Sequence, residues 1–359
     1  ACCTNEGAVY IVSLGSDGAV WHTRRLPLLS SVLRAVPSAA CEPIGAGSAV
    51  AAAGDIDGDG MPDVIVGAPL AFSSRGLVAV LLLGGDGGVR RAIEISAGAP
   101  GLSVLTSRVG LGISAALWRQ DPAAGVSVLL LGLGAPRGFV RVRLSAANDF
   151  APQFDQLLDG NTAPYDGASG LPAAGSTSQL GASLAAVGTG FVTRGGVPAS
   201  ARIPSYAVGS PGLAVPPEAA RGGVWITHFN DAAVAIDTVL LLPTGAAFQG
   251  ILSPSAGAMG ASIASAGDIT GDGVPDLMIS DTETVAGKPG RLLAVALSRH
   301  GAALSVSLLG GGAPDALKGR TSNGGRFGAS AALLRTRQGE ALLAVGEPDD
   351  MAWAVQASL

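Results

Sequence analysis

The 359-residue chain is 48% apolar, 14% charged and only 4% aromatic. Its 54 glycines and 22 prolines argue against a helical bundle and for many short strands joined by turns. The balance of 22 basic against 27 acidic residues gives a net charge of −5 with no basic run, so the electrostatic footprint of a nucleic-acid binder is missing.

Apolar runs such as 126–133 and 239–242 end at Gly or Pro, short of the about 20 residues that a membrane span needs. No span is therefore expected in this chain. It opens without a basic segment and an apolar stretch, and so reads as a cytosolic protein, a mature secreted one or an excised fragment.

In chain order, the first predicted elements are strands at 7–14 and 19–26 around a turn at 15–18. Cys2, Cys3 and Cys41 leave two readings open. They are three unpaired thiols, or one disulfide joins the adjacent pair to Cys41 and leaves one cysteine over. From residue 46 a phrase recurs: a glycine, one small residue, a serine or similar, then a small apolar run. It reads Ala46-Gly47-Ser48-Ala49-Val50, Leu111-Gly112-Ile113-Ser114-Ala115, Leu180-Gly181-Ala182-Ser183-Leu184, Met259-Gly260-Ala261-Ser262-Ile263 and Phe327-Gly328-Ala329-Ser330-Ala331. Starting near 46, 111, 180, 259 and 327, the repeats are 65 to 79 residues apart.

Each phrase leads to a second apolar run that ends in a small-residue turn, as at Gly67-Ala68-Pro69, Gly134-Ala135-Pro136 and Gly209-Ser210-Pro211. Third runs follow at 76–83, 139–144, 223–229, 290–297 and 351–359; the first four repeats add a fourth, such as 89–95 or 302–309. Short β-branched and alternating runs bounded by Gly, Pro, Asp and Ser are strands. The repeating unit is thus four strands, and arrays of such units make an all-β propeller of antiparallel blades. The stretch 7–26 fits as the third and fourth strands of a partial blade, and the last repeat stops after its third strand. Five clear repeats plus these end pieces predict five to seven blades in a single propeller over 1–359.

One segment carries a more specific signature. Gly54-Asp55-Ile56-Asp57-Gly58-Asp59-Gly60-Met61-Pro62-Asp63-Val64-Ile65-Val66-Gly67-Ala68-Pro69 resembles the FG-GAP repeat, the blade of integrin α-subunit propellers and of related bacterial and algal surface proteins. Gly267-Asp268-Ile269-Thr270-Gly271-Asp272-Gly273-Val274-Pro275-Asp276 is a second match. The resemblance implies an extracellular or cell-surface propeller for adhesion or recognition and names no ligand. Phe327-Gly328 is the only literal Phe-Gly; the other repeats carry Ala, Leu, Leu or Met before the glycine.

The two aspartate loops have the spacing of metal ligands. Asp55, Asp57, Asp59 and Asp63 occupy positions 1, 3, 5 and 9, Gly60 permits the sharp turn, and the Met61 carbonyl offers an oxygen at position 7. Hard oxygens on a flexible loop suit Ca²⁺. The alternative is a metal-free Gly/Asp-rich turn, in which four carboxylates repel one another without a cation. The second loop keeps Asp268, Asp272 and Asp276, puts Thr270 at position 3 and Val274 at the carbonyl position, and is expected to bind more weakly. Two structural calcium sites are thus expected. The other repeats lack ligand clusters, and Arg335 and Arg337 would oppose a cation.

Catalytic patterns are missing. His22, His228 and His300 are scattered with no metal-type pairing, and read as satisfied or exposed strand residues. No nucleophile elbow or phosphate loop occurs. Trp21, Trp118, Trp225 and Trp353 are expected in the core rather than stacking on sugars. Long connections at 26–44, 158–179 and 243–258, and an insertion at 195–205, stand out against the usual loop length. By resemblance, segments around 26–44, 159–178, 212–221 and 310–325 form a partner surface on the face opposite the calcium loops; tolerated insertions are the alternative. The expected function is a non-enzymatic, calcium-stabilised propeller that binds a protein or glycan. A lectin-like carbohydrate binder and an accessory propeller of a larger enzyme are the alternatives.

Overall fold

The computed structural model describes residues 7–14, 20–26, 44–96, 102, 109–134, 138–167, 172–174, 178–191, 203–215, 222–229, 235–252, 257–282, 290–309, 330–335, 341–346 and 353–357. The three cysteines, the phrase at Phe327-Gly328 and most of the segments 26–44 and 310–325 lie outside the described residues. The fold is an all-β propeller built of antiparallel blades, and the chain divides into two compact units, Ala1–Asp159 and Gly160–Leu359.

The first unit holds a two-stranded sheet of β1 (Tyr10–Leu14) and β2 (Val20–Arg25). Two four-stranded sheets follow. One comprises β3 (Ala49–Gly54), β4 (Asp63–Ala68), β5 (Leu77–Leu83) and β6 (Val89–Ser96). The other comprises β7 (Ala115–Asp121), β8 (Val126–Leu133), β9 (Gly138–Ser145) and β10 (Gln153–Asp159).

In the second unit the sheets are β11 (Ser183–Phe191) to β14 (Ala235–Leu241), with β12 (Ile203–Gly209) and β13 (Val224–Phe229) between them, and β15 (Met259–Gly267) to β18 (Ala303–Leu309), with β16 (Asp276–Asp281) and β17 (Arg291–Leu297) between. A three-stranded sheet of β19 (Ser330–Arg335), β20 (Ala341–Gly346) and β21 (Trp353–Ala357) ends it. In every sheet the strands pair in sequence order, so all five predicted inner pairs are present. No helix among the described residues is long and apolar enough to cross a membrane.

The apolar third strands are continuous because both faces are covered. All seven residues of β5 are buried. Leu77, Ala79, Leu81 and Leu83 pack with Val9, Ile11, Leu26 and Ile44, whereas Val78, Val80 and Leu82 pack with Leu129, Leu131, Val140 and Val142 of the next sheet. The outer strand β6 is more open: Ile93 and Ile95 are buried between half-buried neighbours, and Arg90 and Arg91 are both exposed. In the second unit β17 divides in the same way: Leu293, Val295 and Leu297 join one cluster, Leu292 and Ala294 another.

Successive sheets meet at the glycine phrases. Isolated parallel bridges join Gly7 to Ala46, Gly76 to Leu111 and Gly222 to Met259. Gly112 and Gly260 adopt φ of +96° and +90°, and a Cβ on Gly67 or Gly209 would lie 2.0 Å from their carbonyl oxygens. This close backbone approach accounts for the glycines of the second and fourth phrases. The Ser183 hydroxyl adds a bond to the Gly260 carbonyl at 2.7 Å.

The Gly7 bridge to Ala46 repeats the Gly76 bridge to Leu111, so β1 stands to the β3–β6 sheet as β5 stands to the β7–β10 sheet. Val9 and Ile11 pack inward. Tyr10, Val12 and Trp21 are 55%, 47% and 83% exposed, and with Thr23 and Arg25 they form a bare face. The core position expected for Trp21 is therefore corrected, while Trp118 and Trp225 are buried as expected.

His228 is fully buried on β13, its Nδ1 2.7 Å from the Ser205 hydroxyl on β12 and its ring 4.9 Å from that of Phe191. Burial, the largest influence, pushes its pKa below the ordinary value; the Asp237 carboxylate and a backbone bond at His300 act the other way, and the His300 ring charge adds to the lowering. The unfolded chain then binds the proton more readily than the folded one. Stability contributed by the neutral ring is complete above about pH 6.5 and declines as pH falls from there toward the folded pKa. Melting temperatures between pH 8 and 5 should show this decline, and His228→Asn, which keeps an acceptor for Ser205 but does not titrate, should flatten it.

Substituting Gly67 or Gly209 by Ala should cost about 2–3 kcal/mol, because backbone rather than a movable side chain obstructs the new methyl. Gly85→Ala, where nothing lies within 4 Å, should stay within about 0.5 kcal/mol. Denaturant unfolding of the three variants checks the ranking.

Candidate metal centre

The loop between β3 and β4 is shaped by carboxylates that accept its own amides. Asp55 Oδ1 accepts from the amides of Gly58 at 2.8 Å and Asp59 at 3.1 Å, and its Oδ2 from Gly60 at 2.9 Å. Gly58 and Gly60 sit at φ of +77° and +87°, the left-handed region where glycine carries no Cβ penalty. Asp57 Oδ1 accepts from the Asp59 amide at 3.3 Å, and Asp59 Oδ1 from the Met61 amide at 2.9 Å.

Asp63 opens β4 and is 1% exposed. Its Oδ2 takes the Ile56 amide at 2.8 Å and its Oδ1 the Leu83 amide at 2.9 Å, so one carboxylate joins the loop to the end of the third strand. Burial pushes the Asp63 pKa up most strongly; the Leu83 and Ile56 amides oppose that, and the nearby Asp57 and Asp55 charges reinforce it.

This scaffold brings Asp55, Asp57 and Asp63 together, with one ligand atom from each within 4.8 Å of the others. It is the only group of three acidic, His or Cys side chains of this kind among the described residues. Asp59 is outside the group. Its Oδ2 pairs with the Arg90 guanidinium at the start of β6. The Asp55 carbonyl accepts from Gln120 Nε2 of the next sheet. Three converging hard oxygens, one of them on a buried carboxylate beside two acidic neighbours, fit a divalent cation such as calcium or magnesium.

The loop between β15 and β16 repeats the scaffold. Asp268 accepts from Gly271, Asp272 and Gly273 at 2.7, 3.1 and 2.8 Å, which holds its pKa below the usual carboxylate range, the Gly273 bond leading. Asp272 accepts from the Val274 amide at 2.8 Å. Asp276, fully buried, accepts from Ile269 at 3.0 Å, from the Thr270 amide at 3.2 Å and from Leu297 at 2.9 Å. The Thr270 hydroxyl lies 3.4 Å from the same carboxylate. Met61 and Val274, expected to offer carbonyls, enter the observed network through their amides. The sequence pattern found the aspartates but not Arg90, Gln120 or the anchoring Leu83 and Leu297 amides, which only strand register reveals.

Residues 46–81 match the FG-GAP repeat. The match covers the first loop together with its inner hairpin and most of β5. Among solved structures the chain is similar to an endo-arabinase from Bacteroides thetaiotaomicron at 11% identity and a TM-score of 0.39, over 83% of this chain and 90% of that one. No curated protein matches the chain in sequence.

The carboxylates of the FG-GAP segment separate into anchors and ligands. In chelator, Asp63→Ala should cost about 2–4 kcal/mol, because the buried Ile56 and Leu83 amides lose their acceptor. Asp57→Ala removes one long contact and a repelling charge, so it should change metal-free stability by less than about 0.5 kcal/mol while weakening cation binding. Thermal unfolding with and without chelator separates the two classes.

Proposed function

We propose that the chain is a non-enzymatic, calcium-stabilised extracellular propeller that mediates adhesion, recognition or assembly of a surface structure, in the manner of integrin α-type propellers. The convergence of Asp55, Asp57 and Asp63 within the FG-GAP segment is the observation that carries this reading. Calcium at this loop adds positive charge among carboxylates already set by their own backbone, and the loop around Asp268, Thr270, Asp272 and Asp276 is the second, weaker site. The role is structural: each loop joins the first and second strands of a blade and reaches the third. By resemblance to integrin-type propellers, the partner, a protein or a glycan, is assigned to the segments around 159–178 and 212–221, on the face opposite the loops.

One observation favours the carbohydrate alternative. Trp21, 83% exposed on β2, offers the flat aromatic surface on which a sugar ring stacks. A glycan array with the intact chain and with Trp21→Ala separates the readings. Binding that vanishes with Trp21 supports the lectin, whereas a protein partner retained by the variant supports the adhesion reading.

Extracellular modules of this chemistry bind calcium in the range of roughly 10⁻⁴ to 10⁻³ M. At 100-fold excess over the dissociation constant, linkage stabilises the fold by about 2.7 kcal/mol per site. Calorimetry in chelator and in millimolar calcium should therefore show a higher melting temperature with the metal. Equal melting temperatures would refute the calcium reading.

A further inference from the structure

We propose that Arg90 is a built-in competitor for the cation at the first aspartate loop, and that the Arg90–Asp59 pair sets the calcium affinity of that loop. This inference rests on the calcium reading above. Asp59 holds position 5 of the loop, yet both its oxygens are engaged: Oδ1 by the Met61 amide and Oδ2 by the Arg90 guanidinium. The Asp59 carboxylate is 21% exposed and Arg90 59% exposed, so the pair lies at the rim of the loop, open to solvent exchange.

The second loop shows what this position looks like without the arginine. Leu83 pairs with Val89 in the first blade and Leu297 with Ala303 in the second, and the same two leucines give their amides to Asp63 and Asp276. The residue that follows is Arg90 in one blade and Leu304, 61% exposed, in the other. A second difference accompanies it: position 3 is Asp57 in the first loop and Thr270 in the second. The first loop thus has four carboxylates and one guanidinium, the second three carboxylates and no guanidinium at the matching position. Both carry a formal charge of −3. The arginine, whose ion-pair partner is Asp59, thus offsets in net charge the extra carboxylate Asp57, and neither Arg90 nor Asp57 has a charged counterpart in the second loop.

A cation that recruits Asp59 must displace a guanidinium tethered to the same sheet. If Asp59 stays with Arg90, the fixed positive charge still opposes the incoming one. Either way Arg90 reduces the gain in affinity that the fourth carboxylate gives the first loop. A solvent-exposed ion pair of this kind alters affinity by up to about fivefold, and less at high salt.

The test is a calcium titration of the full chain, followed at the amide resonances of Gly58 and Gly60 for the first loop and of Gly271 and Gly273 for the second. Wild type, Arg90→Leu and the reciprocal Leu304→Arg are compared. Arg90→Leu should tighten the first loop about fivefold and leave the second unchanged, and Leu304→Arg should weaken the second by a similar factor. In chelator, Arg90→Leu should lower the melting temperature, because Asp59 loses its counter-charge. A residue of merely structural importance would weaken both states alike. Unchanged or weaker binding at the first loop of Arg90→Leu, with wild type responding normally, overturns the proposal and leaves the calcium reading standing. No response of either wild-type loop up to about 10 mM calcium overturns both.

Discussion

The buried carboxylate at the start of the second strand is the constraint from which the aspartate blades take their form. Asp63 and Asp276 each sit out of solvent, each take at least one amide from their own loop (two for Asp276) and one from the last residue of the third strand. A buried carboxylate is tolerable only while such donors remain in place. The loop cannot drift from the sheet without stranding the carboxylate. The position of the loop then fixes where Asp55 and Asp57 point, and the position of the third strand fixes where the following hairpin delivers Arg90.

Two networks with different chemistry are superimposed in each loop. One is neutral in its requirements: backbone amides satisfied by Asp55 or Asp268, with glycines where the chain turns left-handed. It is complete with protein atoms alone. The other is electrostatic, the leftover negative charge of carboxylates gathered more closely than repulsion favours. The first network explains why both loops adopt one shape. The second explains why that shape is available to a cation.

Most of the blade architecture was legible because it is periodic. The glycine phrases recur before each first strand, and that recurrence is readable along the chain without knowing that Gly112 approaches Gly67 and Gly260 approaches Gly209. The strand runs 76–83 and 290–297 emerged nearly to the residue for the same reason. Relations across strands were not legible. Arg90 is 31 residues from Asp59, and Gln120 is 65 from Asp55. Both depend on register, which local spacing does not encode. Trp21 was misread for a related reason. Strand alternation tells which residues share a face, but whether that face is covered depends on what stands opposite. In β5 the matching residues Ala79 and Leu81 have the β1–β2 sheet against them; Tyr10 and Val12 face solvent.

The strict sequence order of strands within each sheet bears on how the chain acquires its structure. Every ladder joins neighbours along the chain, so forming a blade requires closing only short loops and little chain entropy is lost before pairing begins. An all-β chain of this length would fold slowly if its sheets were stitched from distant segments. Here each blade is a kinetic module, able to nucleate on its own hairpins and add to a neighbour through the glycine contacts, as in other repeat arrays. The slow part of folding is thereby confined to docking one finished sheet on the next.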